Sequence, residues 1–542
     1  MMRLLAWLWL CSIPLAAAPS ALAADRPQAQ VAEGRLAGQW EEGQRVFRGI
    51  PYAAPPVGER RWRPPAPPAR WSGTRDAAAF GPSCVQPPYP ADSVYFEPAR
   101  PMDEDCLTLN IRAPKAAKKA PVIVWIHGGA LQHGGSASAM YDGRDYAQRG
   151  IVFVSVNYRL GVFGWLAHPE LSAESDEGVS GNYGLLDQLA ALAWVKANIA
   201  SFGGDPANVT VMGESAGALS ITYLLASPRA EGLFQRVIVQ SSNMRAVPRL
   251  REPAFGMAPA EATGAALADS IGARDLAALR AVPPAALVAA ALRARFASQP
   301  VIDGALLPAQ VVDIFDRGAQ LKVPLLAGFN SGEIRTQRRL ILPLPAEAAA
   351  YEAEVARRYG DLAPAFLRLY PASDGEESLL AATRDAVYGW AVERLVRDQA
   401  AAGQAAYLYV FDHCDDAMRA RDLCAFHASE LPYMFGVIGR EGRRGSGLGP
   451  NWPLPDGAAD RALAQAMLDY WTSFAAHGVP AAASGPDWRP YGAEQYYLHL
   501  AASPALRRDA FPGMFELHEE IMLRRRARGE QWFTNIDPLA PQ

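Results

Sequence analysis

The stretch Asn208-Val209-Thr210-Val211-Met212-Gly213-Glu214-Ser215-Ala216-Gly217 decides how this chain is read. Its first five residues form an apolar run of strand length, and residues 216–225 carry the apolar spacing of a helix. Between them stands Gly-x-Ser-x-Gly, the pattern of a sharp strand-to-helix turn that lifts a serine hydroxyl above the end of a sheet. Small residues flank the serine because the two backbones must approach closely. The helix that follows aims its first N–H groups at charge developing nearby. Alone, the pattern would mark only a tight turn; set between strand and helix, it makes Ser215 the candidate nucleophile.

Working outward, residues 121–126, 151–156, 236–240, 323–327 and 407–411 are further continuous apolar runs. Such runs predict strands buried on both faces, as in a parallel sheet covered by helices. Helical stretches such as 185–199 alternate with them, which predicts an α/β architecture. Ala-rich segments 259–297 and 345–404 interrupt the series and are predicted helical insertions roofing the sheet. Residues 51–90 are Pro-rich and predicted irregular, because proline withholds donors from both ladders. Residues 440–456, rich in Gly, Arg and Pro, are predicted as an exposed loop, and 461–476 as a final helix.

Directly after the run ending at Ile126 comes His127-Gly128-Gly129-Ala130. Small residues there let backbone N–H groups face an oxyanion without side chains in the way. His127 then reads as a brace for that loop and not as the general base.

The 542 residues are 50% hydrophobic with a net charge of -4, so no basic stripe argues for a nucleic-acid partner. The N-terminus pairs Arg3 with an apolar stretch 4–15 and a small-x-small Ala21-Leu22-Ala23. That pattern predicts a secretory signal at 1–23, with 24–542 as the mature chain, and the apolar run is too short for a membrane anchor. Export removes Cys11 and leaves Cys84, Cys106, Cys414 and Cys424, an even set that predicts two disulfides with three connectivities open. No Cys-x-x-Cys pair exists, and the scattered histidines lack metal-ligand spacing, so neither metal nor cofactor is expected. The sequence leaves the oligomeric state open.

Further motifs complete the picture. Phe47-Arg48-Gly49-Ile50-Pro51-Tyr52-Ala53, Glu104-Asp105-Cys106-Leu107-Thr108-Leu109-Asn110, Asn157-Tyr158-Arg159-Leu160-Gly161, Gly181-Asn182-Tyr183-Gly184-Leu185-Leu186-Asp187-Gln188 and Phe202-Gly203-Gly204-Asp205-Pro206 follow in order. With the Ser215 turn they resemble the type-B carboxylesterases, the family of cholinesterases and para-nitrobenzyl esterases, over nearly the whole mature chain. The resemblance implies one large α/β-hydrolase body with a mostly parallel sheet and helical insertions over the active site. It also implies ester hydrolysis of a small molecule through a Ser, Glu, His triad.

Carried over residue by residue, the nucleophile is Ser215 and the base is His427. His427 opens a string with Glu430, Tyr433, Phe435 and Gly436 that is similar to the family's His-x-x-Glu-x-x-Tyr/Phe-x-Phe-Gly. The acid falls on Glu333, where the sequence departs from the family: Gly332 and Ile334 replace the usual Asp before and Gly after. Asp303 is the fallback acid. The oxyanion donors implied are the N–H groups of Gly129, Ala130 and Ala216, with Gly128 the less favoured member. Glu214, Ser241 and Glu430 are implied as supports of the triad. The first disulfide, Cys84 with Cys106, resembles the family's N-terminal pair, which leaves Cys414 for Cys424.

Two features are left to the pocket. His133 follows the oxyanion loop and is a candidate substrate contact. Arg335, Arg338 and Arg339 crowd beside the proposed acid. The plain reading leaves these arginines solvated or paired with surface carboxylates. The sharper one turns at least one into the pocket mouth, where it would favour acyl groups bearing an extra carboxylate. A lipase, an amidase or a carbamate hydrolase could use the same triad. A non-catalytic binding protein on this scaffold would lack the nucleophile, which this chain retains.

Overall fold

A computed structural model describes residues 26–532, apart from 99, 342–344, 346, 439, 441–447 and 454. The leader read at 1–23 lies outside the described residues. Among the described residues the central sheet has eleven strands: β1 (Gln39–Glu41), β2 (Gln44–Pro51), β3 (Thr108–Ala113), β4 (Ala120–Ile126), β5 (Val152–Val156), β6 (Gly204–Glu214), β7 (Arg236–Gln240), β8 (Leu325–Asn330), β9 (Ala406–Phe411), β10 (Tyr496–Leu500) and β11 (Ala505–Arg508). Their spatial order is β11-β10-β9-β8-β7-β6-β4-β5-β3-β2-β1. Pairing is parallel from β5 through β10 and antiparallel at both margins.

The continuous apolar runs are explained by burial on both faces. In β4, Val122, Val124 and Ile126 enter one core while Ile123 and Trp125 enter the other. Helices Tyr183–Asn198, Ala216–Leu225 and Trp390–Ala401 cover the first core, and the helix Ala458–His477 covers the second. A buried ion pair ties the motifs after β5 to the first of these helices. Arg159 Nη2 donates to Asp187 Oδ1 at 2.7 Å, with Nε on Oδ2 at 2.8 Å.

The insertions are helical as expected. The first holds Ala260–Ser270, Leu276–Ala281 and Pro284–Arg293, and the second includes Ala348–Tyr359, Ala363–Leu369 and Glu376–Arg384. A π-helical turn, Asp385–Gly389, joins the last of these to Trp390–Ala401. The marginal strands β2, β3, β10 and β11 were not anticipated, nor was the helix Met514–Ala527. The exposed-loop expectation for 440–456 is corrected in part: Leu448 and Trp452 are buried, while 441–447 lie outside the described residues. Disulfides join Cys84 to Cys106 and Cys414 to Cys424.

Candidate active site

Strand order brings the chemistry together at the carboxyl edge of the sheet. β6 lies between β4 and β7, with Gly213 beside Ile126 and Glu214 beside Gln240. The segments leaving β4, β6, β7 and β8 therefore emerge as neighbours, at the point where strand order reverses. Ser215 tops β6 with φ 54°, a left-handed conformation unusual for a residue with a side chain. The crowding beneath it explains the flanking glycines. A Cβ on Gly217 would lie 2.0 Å from the Ile126 carbonyl oxygen, and one on Gly213 would lie 2.7 Å from the Gly217 carbonyl carbon.

The 127–130 loop sits alongside. His127 is buried, stacks on Tyr158 at 4.6 Å between ring centroids, and faces the Gly128 carbonyl through Nδ1 at 2.8 Å. Burial pushes its pKa down to about 4, so it stays neutral and acts as the expected brace. The N–H groups of Gly129, Ala130 and Ala216 reach no protein acceptor among the described residues. Gly129, Ala130 and Ser215 line a cavity of about 1250 Å³.

Glu333 and His427 meet although 94 positions separate them: His427 Nδ1 lies 2.5 Å from Glu333 Oε2. The other Glu333 oxygen accepts from Ser241 Oγ at 2.6 Å and from the Asn330 N–H at 2.9 Å. Glu430 stands behind, accepting from Gln240 Nε2 at 3.0 Å and Asn330 Nδ2 at 2.6 Å. His427 Nε2 lies 3.1 Å from Oε1 of Glu214, the residue directly before Ser215. Burial raises Glu214 to about 8 and, helped by repulsion from Glu333, raises Glu430 to about 7. Burial alone would lower His427, but the pull of Glu214 and Glu333 prevails and raises it to about 9. Asp303, the fallback acid, is spent elsewhere. Its Oδ1 accepts the N–H groups of Ala305, Leu306 and Leu307, and its Oδ2 accepts from Asn182 Nδ2.

The pocket candidates separate. His133 lines the cavity, stacks on Tyr89 at 4.3 Å and faces the Pro87 carbonyl at 3.0 Å. Arg339 also lines the cavity, whereas Arg335 and Arg338 do not. The expectation that these two face substrate is corrected. Arg335 pairs with Asp422 at 2.5 Å and Glu377 at 2.8 Å, and Arg338 pairs with Asp422 at 2.6 Å and with Glu376, all at the surface. Two contacts of His427 were missed altogether. Tyr388, on the π-helical turn, stacks on its ring at 5.2 Å, and Tyr95 donates to its carbonyl at 2.9 Å. Tyr95 lies just past the Pro-rich wrap, where an aromatic among prolines is the one signal the sequence offered.

A serine on a strained turn, a buried histidine–carboxylate pair and unengaged N–H groups at the edge of a doubly wound sheet define a serine hydrolase of the α/β-hydrolase fold. The family profile described as "Carboxylesterase family" matches residues 25–513, and the chain belongs to that family. It is 40% identical to the Fumonisin B1 esterase of Sphingopyxis macrogoltabida over 82% of this chain and 81% of that one. It is 37% identical to the Para-nitrobenzyl esterase of Bacillus subtilis (strain 168), over 75% and 82% respectively. A solved PNB esterase superposes with a TM-score of 0.78 at 32% identity, covering 91% of this chain and 99% of that chain. The protein is a carboxylic-ester hydrolase.

Proposed function

We propose that this is an exported serine carboxylesterase that prefers acyl groups carrying an additional carboxylate. Ser215 attacks the ester carbonyl as His427 takes its proton, and Glu333 holds the imidazole and steadies its charge. Gly129, Ala130 and Ala216 donate to the oxyanion. The acyl-enzyme then yields to water by the same route. The Glu333–His427 contact of 2.5 Å beside the Ser215 turn carries the catalytic part of this reading. Export from a leader at 1–23 is supported by two disulfides, which persist in oxidising compartments. Among the described residues no helix is long and apolar enough to cross a membrane. A single domain from residue 24 is supported by one sheet that draws its strands from Gln39–Glu41 through Ala505–Arg508.

The acyl preference rests on the charges around the cavity. Among the described residues its lining includes Arg100, Arg295, Arg339 and Arg421, against the carboxyls of Glu97 and Glu214. Burial raises the pKa of both carboxyls. Arg421 donates one N–H to the Asn451 carbonyl, a neutral acceptor. Of these four arginines Arg339 stands closest in sequence to the proposed acid, and a planar cation there suits a carboxylate. The test compares kcat/KM for a neutral acyl ester and its carboxylate-bearing analogue, with fumonisin B1 in the same panel because a relative's name carries it. The anionic ester should lead by about tenfold, as a charge-assisted hydrogen bond allows, and Arg339→Ala should erase most of that lead. High salt should shrink it as well. Equal rates for both esters in wild type and variant would remove the preference.

A further inference from the structure

The segment just before His427 is closed into a hairpin by Cys414–Cys424, with 4.7 Å between the two Cα atoms. Inside it, the short helix Asp416–Arg419 is capped by Asp415, whose Oδ1 accepts the N–H groups of Ala417 and Met418. Met418 is buried and pins the hairpin to the core. The far side of the hairpin lies along the loop that carries Glu333. The Gly332 N–H donates to the Ala425 carbonyl at 3.1 Å, and Asn330 Nδ2 donates to the Phe426 carbonyl at 2.9 Å. Gly332 and Phe426 form an isolated parallel bridge. Arg335 and Arg338 add their pairs to Asp422.

This contact explains the unusual residue before the acid. A Cβ at position 332 would lie 2.0 Å from the Cys424 carbonyl oxygen, so any side chain there would force the hairpin away. Backbone strain marks the hairpin at Asp422, with φ 53°, and continues beyond it on either side of His427 at Ala425 and Ala428, with φ 46° and 72°. Such conformations persist only where the surroundings hold them. The two disulfides also differ in access. Cys84 and Cys106 are buried, whereas Cys414 and Cys424 are each partly exposed.

We propose that the Cys414–Cys424 hairpin is a positioning device that sets the register of His427 against Glu333, with Gly332 as its matched contact. The proposal rests on the triad assigned above. A small dithiol can open the exposed bridge by exchange, giving two protein thiols while the reagent closes to its own disulfide.

The Cys414→Ser/Cys424→Ser double variant removes the bridge and keeps every charge. On a neutral ester its kcat should fall at least tenfold while KM changes by less than about twofold, because the loss is in the chemical step. The acid limb of its kcat profile should move to lower pH, since a loosened Glu333 no longer holds the proton on His427. Glu214, Glu430 and Tyr388 also face His427 and are unchanged in this variant. Brief treatment of wild type with the dithiol should reproduce both effects, and reoxidation should reverse them. If the double variant fails to fold, Gly332→Ala with the bridge intact should show the same signature. An unchanged kcat and pH profile in the folded double variant, or in Gly332→Ala where the first does not fold, overturns the proposal. Full activity in Ser215→Ala would overturn the triad instead, so the two failures are distinguishable.

Discussion

The nucleophile side and the acid–base side of the site are built in different ways. Around Ser215 the geometry comes from backbone crowding within a few residues and one neighbouring strand: Gly213, Gly217 and Ile126 leave no room for side chains. Around Glu333 and His427 it comes from side-chain hydrogen bonds between segments far apart in the chain, through Ser241, Asn330 and Gln240. The first is a steric construction, visible as a short motif. The second is a polar network whose members answer to partners that only the fold supplies.

That contrast can be broken from either end. The largest effect belongs to Ser215→Ala, which should fold normally and lose about 10⁴- to 10⁶-fold in kcat, since only binding and the oxyanion donors remain. Covalent labelling by an organophosphate should map to Ser215 in wild type and vanish in the variant. Next comes Glu333→Gln, expected to lower kcat by about 10³- to 10⁴-fold because the imidazole loses its charged orienting partner. Ser215 should still accept the label, though slowly, because its turn is built without Glu333. Rapid labelling with near-normal turnover would place the acid elsewhere.

The smallest effect sharpens the comparison, because Glu214 belongs to both sides. It precedes Ser215 yet lies 3.1 Å from His427 Nε2. His427 must be neutral to act as base, so activity is lost as pH falls through its raised pKa of about 9. Glu214 and His427 share protons, and the form with Glu214 ionised and His427 protonated is idle. Glu214→Gln cannot enter that form, so the acid limb of kcat/KM should shift to lower pH with the plateau little changed. A shift to higher pH, or none, would mean that Glu214 does not sense the imidazole.

The same contrast explains what could be read from the chain. Strands β4 to β9 stood out because each holds a run of mainly apolar residues buried on both faces. β3 did not, since Asn110 and Arg112 interrupt the pattern; both are buried against partners far away, Asn110 on Ser136 and Arg112 on Gln44. Ser215 and the 127–130 loop were legible for the steric reason given above. Glu333 was placed by resemblance despite Gly332, whose reason lies 92 positions on, at the Cys424 carbonyl. The three arginines could not be separated, because Glu376, Glu377 and Asp422 decide which of them is taken. Tyr388 sits on a π-helical turn that no helical spacing would reveal.

The cavity's outer wall has a different origin from its floor. Val288, Ala291, Leu292, Arg295 and Phe296 line it from the first insertion, at and just beyond the helix Pro284–Arg293, and none of them lies in the sheet. Leu292 is 54% exposed there, a large apolar side chain turned toward solvent at the entrance. Substitutions in this wall alter what can enter without moving the strand ends that hold the reacting groups. The floor is held in place by its own crowding, while the wall stands outside the sheet. Directed evolution at Leu292 and Arg295 should therefore exchange one ester for another, provided that Leu287 and Ala290, buried in the same segment, are kept.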